Sequence, residues 1–421
     1  MPFREKLSFD PLQPPDRLVE QPSDLGDVPG DREHLGAEPV ADGDADLNGN
    51  RRLEPGRNLG EGFDLPARAF ERGLDQRRLG AARSRIGDAL LGTFQGEYIH
   101  GRPGYSPRRM DTALLDYELP EELIAQQPAG RRDESRLLVY RRESGSIEHR
   151  VFSELPDLLS DELTVVNDTR VLPARLHLRR ASGGHVEVLL LEKRVDGLWE
   201  GLARPTRRLR AGERLGPIEL VALFGDGRWL LRLEGEVDGE VPLPPYIHER
   251  LSDPERYQTV YSYEAGSAAA PTAGLHFTPE LLSRLDHVAI TLHVGLDTFR
   301  PVLTSRLEDH RLLGERYLVS SHAWERIALA ERVLAVGTTT VRTLETVART
   351  GELAGRTDLF VTPGFEFRRV DALLTNFHLP RSSLLALVMA FAGVEETREL
   401  YRAAITERYR FYSFGDAMLV V

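Results

Sequence analysis

Apolar and polar positions follow two periods along most of the chain, and the places where one period gives way to the other mark its elements. From Met110 onward, short apolar runs rich in β-branched residues are separated by amphipathic stretches of helical period. "SRLLVYRRESGSIEHRVF" reads as a hairpin, with Ser144 and Gly145 punctuating its two arms. "LTVVNDTRVLPARL" is a strand-like run broken by Asn167, Asp168, Thr169 and Arg170. Further on the pattern predicts helix "TPELLSRL", strand "VAITLHV", helix "SSHAWERIALA", strand "VLAVG", helix "VRTLETVART", strand "ALLTNF" and helix "SSLLALVMAFAG". "PEELIAQQP" has a helical pattern that ends at a proline. The expected class is α/β, with a mixed α/β main domain.

Between Leu176 and Pro242 the helical period is absent. Short β-patterned runs, "HVEVLLLEKR", "GLWEGLARP" and "IELVALFGDGRWLLRLEG", are separated by Gly and Asp, as in a small all-β barrel. Pro-containing connections flank it, which suits an insertion. The expected division is an α/β catalytic domain at 110–175 and 243–421 with an inserted β-barrel domain at 176–242. Residues 1–109 are rich in Pro, Gly, Asp and Arg and lack a sustained apolar period. They are expected to be a disordered extension or a misassigned upstream translation, with Met110 as the natural start.

Composition narrows the chemistry. With 421 residues, 41% hydrophobic and 29% charged, the chain suits a globular protein of two or three domains. It carries no leader-like segment and no apolar stretch long enough to span a bilayer, so the cytoplasm is the expected address and no membrane partner is expected. Cysteine is absent, which removes disulfides, thiolate nucleophiles and thiolate zinc sites, and no HExxH spacing replaces them. Neither a metal nor a prosthetic group is expected. Lysine occurs only at Lys6 and Lys193, so anion contacts fall to arginine and backbone N–H groups. A net charge of −12 argues against broad affinity for nucleic acid, without excluding a local basic face. Arginine pairs such as Arg131 with Arg132, and the run Arg204, Arg207, Arg208 and Arg210, read first as solvated faces. No heptad seam demands a multimer, and a monomer is expected.

Four strand-like runs end in polar clusters: Asn167 to Arg170, His293 onward to Arg300, Gly337 with Thr338, Thr339 and Thr340, and Asn376 with His378 and Arg381. In open α/β sheets ligands bind beyond the carboxyl ends of strands, where helix N-termini offer free N–H groups. Each cluster also has a plainer reading. A helix cap explains at least one threonine, an Asx-turn explains Asn167 and Asp168, and His293 sits in an apolar run like a core histidine. In "APTAGLHFTPELL", Gly274 allows close approach of a ligand to the backbone, Phe277 can stack, and Thr278 can cap the helix that follows beside His276. No dinucleotide or Walker loop is present.

"AAPTAGLHFTPELL", "TLHVGLDTFRPV", "VGTTTVRTLE", "DALLTNFHLPRSSLL" and "YRFYSFGDAML", with "NDTRVLPARL" and "VPLPPYIHERLSDPERYQTVY" upstream, resemble in order the motifs of the S-adenosylmethionine:tRNA ribosyltransferase-isomerases of queuosine biosynthesis. The resemblance spans Met110 to Val421 and excludes 1–109. It implies an α/β domain carrying a β-barrel, and an enzyme that uses S-adenosylmethionine as a co-substrate. The ribosyl carbons would pass to 7-aminomethyl-7-deazaguanine in a tRNA anticodon, giving epoxyqueuosine and releasing adenine and methionine. Within it, His293, Asp297 and His378 are candidates for catalysis. Asn167, Asp168, Thr338, Thr339, Thr340, Arg342 and Asn376 are candidates for holding the donor, and His276, Phe277, Arg300 and Arg381 for holding the acceptor. One departure stands out: Asp297 occupies the place of a glycine common in the family, adding a carboxylate to the expected cleft. Two competing readings are a paralogue that keeps the S-adenosylmethionine pocket but acts on another acceptor, and a non-catalytic tRNA-binding module using the arginine clusters and exposed aromatics such as Phe411, Tyr412 and Phe414.

Overall fold

The computed structural model describes residues 110–421 except 195, 226, 236–238 and 296–300. The expectations for 1–109, for Asp297 and for Arg300 therefore lie outside the described residues.

The predicted hairpin forms as β1 (Arg136–Arg141) and β2 (Ser146–Val151), with Gly145 at φ 70° in its turn. The broken strand forms as β3 (Leu163–Asn167) and β4 (Thr169–Val171), preceded by helix α1 (Leu155–Leu158). Next come β5 (Arg175–Arg179), β6 (His185–Lys193), β7 (Trp199–Arg204), β8 (Arg214–Leu215), β9 (Ile218–Leu223) and β10 (Trp229–Leu233). They form one antiparallel sheet in the order β5-β6-β7-β10-β9-β8, a nearly closed barrel around Trp229, Leu215, Leu220 and Leu231. The remaining elements are β11 (Glu264–Ser267), α2 (Pro279–Ser283), β12 (His287–Leu292), β13 (Glu315–Leu318), α3 (Ser321–Leu329), β14 (Val333–Val336), α4 (Thr338–Thr350), β15 (Ala354–Thr357), β16 (Ala372–Asn376), α5 (Ser383–Ala392), α6 (Val394–Thr406) and β17 (Ala417–Val420).

One expected helix does not form. "PEELIAQQP" makes only a 3-10 turn, Glu121–Leu123, because Ile124 already pairs in a bridge with Phe411 and holds the chain extended.

The large sheet has nine strands in the order β15-β13-β12-β3-β14-β16-β17-β1-β2. Its centre, β12-β3-β14-β16, is parallel throughout. Those strands are buried on both faces, which explains why they read as continuous apolar runs. Side chains alternate between two cores: Val165, Ala335 and Leu373 face one, while Val166, Leu334 and Leu374 face the other. All four parallel strands end at the same edge, so Asn167, Leu292, Val336 and Asn376 bring their following residues together. The chain leaves β3 for β12 on one side and returns for β14 on the other, and that reversal opens a crevice beside β3.

A buried carboxylate sets the approach to β16. Glu345, on α4 and wholly buried, accepts hydrogen bonds from the backbone N–H groups of Arg368 (2.9 Å), Arg369 (2.9 Å) and Val370 (3.1 Å) and pairs with Arg349. Removing it leaves those N–H groups without their acceptor and Arg349 without its counter-charge. Glu345→Ala is expected to lower unfolding free energy by about 3 to 5 kcal/mol in urea denaturation. Unchanged stability would mean the loop before β16 is held by something else.

Candidate active site

The site is built from the ends of the parallel strands. Asn167 is fully buried, and its Nδ2 donates to Leu292 O (3.0 Å) and to Thr339 Oγ1 (3.2 Å). Its Oδ1 accepts from Leu292 N (2.9 Å) and from Thr169 N (3.2 Å), the latter being the Asx-turn expected of this dipeptide. With both donors and the acceptor occupied, Asn167 positions β12 and α4 and leaves nothing for a ligand. Asp168 accepts from Thr291 Oγ1 (2.7 Å), and burial raises its pKa.

Gly337 precedes α4 at φ 87°, a left-handed conformation that favours glycine. The three threonines beyond it divide their tasks. Thr340 Oγ1 turns back to Val336 O (2.7 Å), Thr339 receives Asn167, and Thr338 faces the cleft without a side-chain partner among the described residues. The first N–H groups of α4 open toward the same space. Arg342, one turn further, is 5% exposed and ion-paired with Glu315, whose Oε1 takes Gly295 N (2.8 Å). Its charge is already matched, so the direct carboxylate contact expected of it is corrected to a supporting role under Gly295.

A cleft of about 600 Å³ lies against Ala270 to Ala273, Gly337 to Thr339, and Thr375 to Leu379, closed by Tyr246 and Tyr412. Asn376 is its most exacting wall. Its Nδ2 donates to His276 Nε2 (3.1 Å), which fixes the imidazole tautomer and leaves His276 Nδ1–H to donate to Ser135 Oγ (2.7 Å). Asn376 Oδ1 is buried without a partner, an acceptor that a ligand N–H in the cleft would satisfy. His378 bonds Thr375 Oγ1 through Nε2 (2.8 Å), and its backbone is pinned by the hydroxyls of Tyr401 (2.9 Å) and Tyr117 (2.5 Å).

His293 faces a second cavity, of about 740 Å³, between the barrel and the sheet, and Val294 borders both spaces. Thr169 Oγ1 lies 3.4 Å from Glu264 O as its donor and 2.9 Å from His293 Nδ1. Nδ1 is thus engaged by the Thr169 hydroxyl, and Nε2 of the neutral ring has no hydrogen-bond partner among the described residues. Burial, reinforced by Arg316, lowers the pKa of His293 and favours that neutral form.

Several expected contacts fall elsewhere. Phe277 is fully buried and packs edge-on against Phe152 (5.1 Å), so it has no open face for stacking. A Cβ on Gly274 would sit 1.9 Å from the Tyr261 hydroxyl, so the space that glycine leaves is filled by protein. Arg381, at φ 57°, is half-exposed and lies 4.0 Å from Asp116, next to the cleft residue Ser382. Phe411, Tyr412 and Phe414 are buried, not exposed. Thr278 caps α2 as expected, accepting from Leu281 N at 3.2 Å.

Sequence reasoning missed Ser135, Glu315, Tyr246 and Ser413. Tyr246 and Ser413 share a 2.7 Å hydrogen bond across the cleft floor. A serine or tyrosine outside any strand end gives no periodic signal, and only the fold brings these residues in.

Among the described residues, no His, Asp and Glu cluster is placed to hold a metal, and no helix is long and apolar enough to cross a membrane. Strand ends, a helix N-terminus and the neutral His378 imidazole meeting at one cleft define an open-sheet α/β protein with a site suited to a polar small molecule. Comparison with known proteins makes this specific. The family described as queuosine biosynthesis protein matches residues 112–420. The S-adenosylmethionine:tRNA ribosyltransferase-isomerase of Rubrobacter xylanophilus is 53% identical over 328 residues, covering 74% of this chain and 98% of that protein. Its namesake from Carboxydothermus hydrogenoformans is 51% identical over 333 residues, covering 73% and 98%. The crystal structure of S-adenosylmethionine tRNA ribosyltransferase from Thermotoga maritima covers 73% of this chain and 100% of its own, with 39% identity and a TM-score of 0.43. The chain belongs to the queuosine biosynthesis protein family.

Burial lowers the pKa of both His276 and His378 to about 3, with the Arg410 and Arg132 charges adding to the effect at His276. Below pH 6.5 the unfolded chain takes up protons that the folded imidazoles refuse, so stability is intact above 6.5 and falls as pH drops toward 3. Each histidine should cost about 2 kcal/mol between pH 7 and pH 5. Urea midpoints across that window should fall more steeply for the wild type than for His378→Gln, and parallel curves would contradict the burial.

Proposed function

We propose that this cleft performs the reaction named for the relatives. The ribosyl moiety of S-adenosylmethionine is transferred to 7-aminomethyl-7-deazaguanine in a tRNA anticodon and isomerised, giving epoxyqueuosine with release of adenine and methionine. The observation that carries this reading is the orphaned Asn376 Oδ1, a fixed acceptor suited to the exocyclic amino group of adenine, in one cleft with the α4 N-terminus.

The chemistry makes separate demands, and separate groups answer them. A sulfonium acidifies the neighbouring ribose carbon, and removal of that proton drives adenine out; the neutral His293 imidazole, with Nε2 unpartnered among the described residues, is our candidate base. The methionine carboxylate is anionic, and the N–H groups of Thr338 to Thr340 at the start of α4 suit it. Asn376 and His378 contact the donor purine, and Arg381 lies close enough to the cleft rim to meet an anionic part of the acceptor. Asp297 and Arg300 keep the roles that the motif suggests, as charged residues following Gly295. In this reading residues 110–175 and 243–421 form the catalytic part, residues 176–242 an inserted barrel, and a tRNA substrate places the protein in the cytoplasm. The binding-only alternative loses its aromatic platform, which is buried, and keeps only the arginine clusters.

The test incubates the full chain with S-adenosylmethionine and tRNA bearing the aminomethyl-deazaguanine base. Free adenine and an epoxyqueuosine mass in the digested tRNA are expected together, and tRNA binding with no adenine release would refute the activity. Asn376→Ala should reduce kcat/KM about 100-fold, in line with loss of one positioned hydrogen-bonding group in a water-poor site.

A further inference from the structure

Next to the cleft lies a smaller pocket, of about 270 Å³, that the proposed chemistry does not use. It is lined by Arg132, Arg256 and Arg410 together with Ser135, His276 and Ser413. These arginines come from three separate segments, and their partners are mostly uncharged. Arg132 donates to Leu275 O (3.0 Å) and Glu255 O (2.9 Å). Arg256 donates to Gly130 O (3.1 Å) and Ala129 O (2.6 Å), and its Nε is buried with no partner. Arg410 donates to Gln127 O (3.3 Å) and approaches Asp416 Oδ1 at 3.6 Å.

The nearby acids are largely engaged elsewhere. Asp416 accepts from the backbone N–H groups of Arg136 (3.0 Å) and Arg410 (2.8 Å), and Glu255 pairs with Arg170 (2.5 Å). Asp133 pairs with Arg131 (3.2 Å). The pocket thus carries an excess of positive charge in a chain whose net charge is −12. Burial first and the neighbouring Arg256 second lower the pKa of Arg132, against the opposing pull of Asp253 and Glu255. An anion placed among the guanidiniums would relieve the repulsion between Arg132 and Arg256.

We infer that the Arg132, Arg256 and Arg410 pocket binds a backbone phosphodiester of the RNA whose modified base enters the cleft. Guanidiniums suit phosphate oxygens, and three of them line this pocket. Its position fits a neighbouring nucleotide. Ser413 lines both spaces, and Asn376 in the cleft wall bonds His276 in the pocket wall at 3.1 Å. A base splayed from a single-stranded loop brings its own phosphate close behind it. This assignment rests on the tRNA reading above.

The experiment measures affinity of the full chain for labelled substrate tRNA across a salt series, for wild type, R132Q/R256Q and R132K/R256K. Two lost phosphate contacts should flatten the slope of log affinity against log salt by about 1.4, at about 0.7 per contact for single strands, and the lysine pair should restore most of it. S-adenosylmethionine affinity and the melting temperature serve as controls, and Arg256→Gln alone, expected to flatten the slope by about 0.7, replaces a double variant that does not fold. An unchanged slope with tRNA still bound overturns the phosphate site and leaves the enzymatic reading intact. Loss of tRNA binding by the wild type overturns both. Inorganic phosphate that raises the melting temperature of the wild type but not of R132Q/R256Q, with identical tRNA slopes, would assign the pocket to the free ion and also overturn the proposal.

Discussion

The carboxamide of Asn167 makes four hydrogen bonds at the end of β3, and they set the relative height of three elements. Its oxygen and nitrogen clamp both backbone groups of Leu292, which fixes where His293 and Val294 emerge from β12. The same nitrogen reaches Thr339, which fixes the first turn of α4 against the sheet. A shift of one residue in β3 would turn this amide into a core and move every ligand-facing group with it. The cleft is therefore a consequence of the parallel register at the sheet centre, with a buried polar residue as its pin.

Charge is handled differently in the two halves of the site. In the cleft the groups are neutral: burial holds His378 deprotonated, as it does His276 behind the cleft wall, and Asn376 offers an unpaired oxygen. A sulfonium-bearing donor would bring its own positive charge into such a space, so a neutral wall avoids repelling it. Around the cleft the charge is concentrated in closely and less closely matched sets. Arg342 with Glu315 and Arg349 with Glu345 are buried pairs that tie α4 to its neighbours. The Arg132, Arg256 and Arg410 group is matched less closely: its hydrogen bonds go mainly to backbone carbonyls, with Asp416 3.6 Å from Arg410.

Much of the architecture was legible in the sequence because periodicity reports burial. The central strands, buried on both faces, appear as continuous apolar runs, and the polar residues that interrupt them mark the site edge. That logic located Asn167 and Asn376 on strand ends and Thr338 at the helix start just beyond one. It could not assign their tasks. Asn167 and Arg342 look like ligand contacts in the chain, yet both are consumed by internal partners that lie far away in sequence. Phe277 and Gly274 misled for the same reason, since Phe152 and Tyr261 fill the spaces that a ligand was expected to take. Ser135, Tyr246 and Glu315 gave no local signal, because their importance comes from tertiary contact with His276, Ser413 and Arg342. "PEELIAQQP" failed as a helix because the bridge from Ile124 to Phe411 outweighs a short helical pattern.

If the reaction proceeds as proposed, the Asn167-organised cleft holds the nucleoside donor. The most direct measurement is a crystal structure of the chain with S-adenosylhomocysteine, which lacks the sulfonium and cannot react. The account predicts the purine amino group within hydrogen-bond distance of Asn376 Oδ1 and the amino-acid carboxylate at the N–H groups of Thr338 to Thr340. An analogue seated wholly in the cavity beside His293, with the Asn376 oxygen still unpartnered, would contradict it.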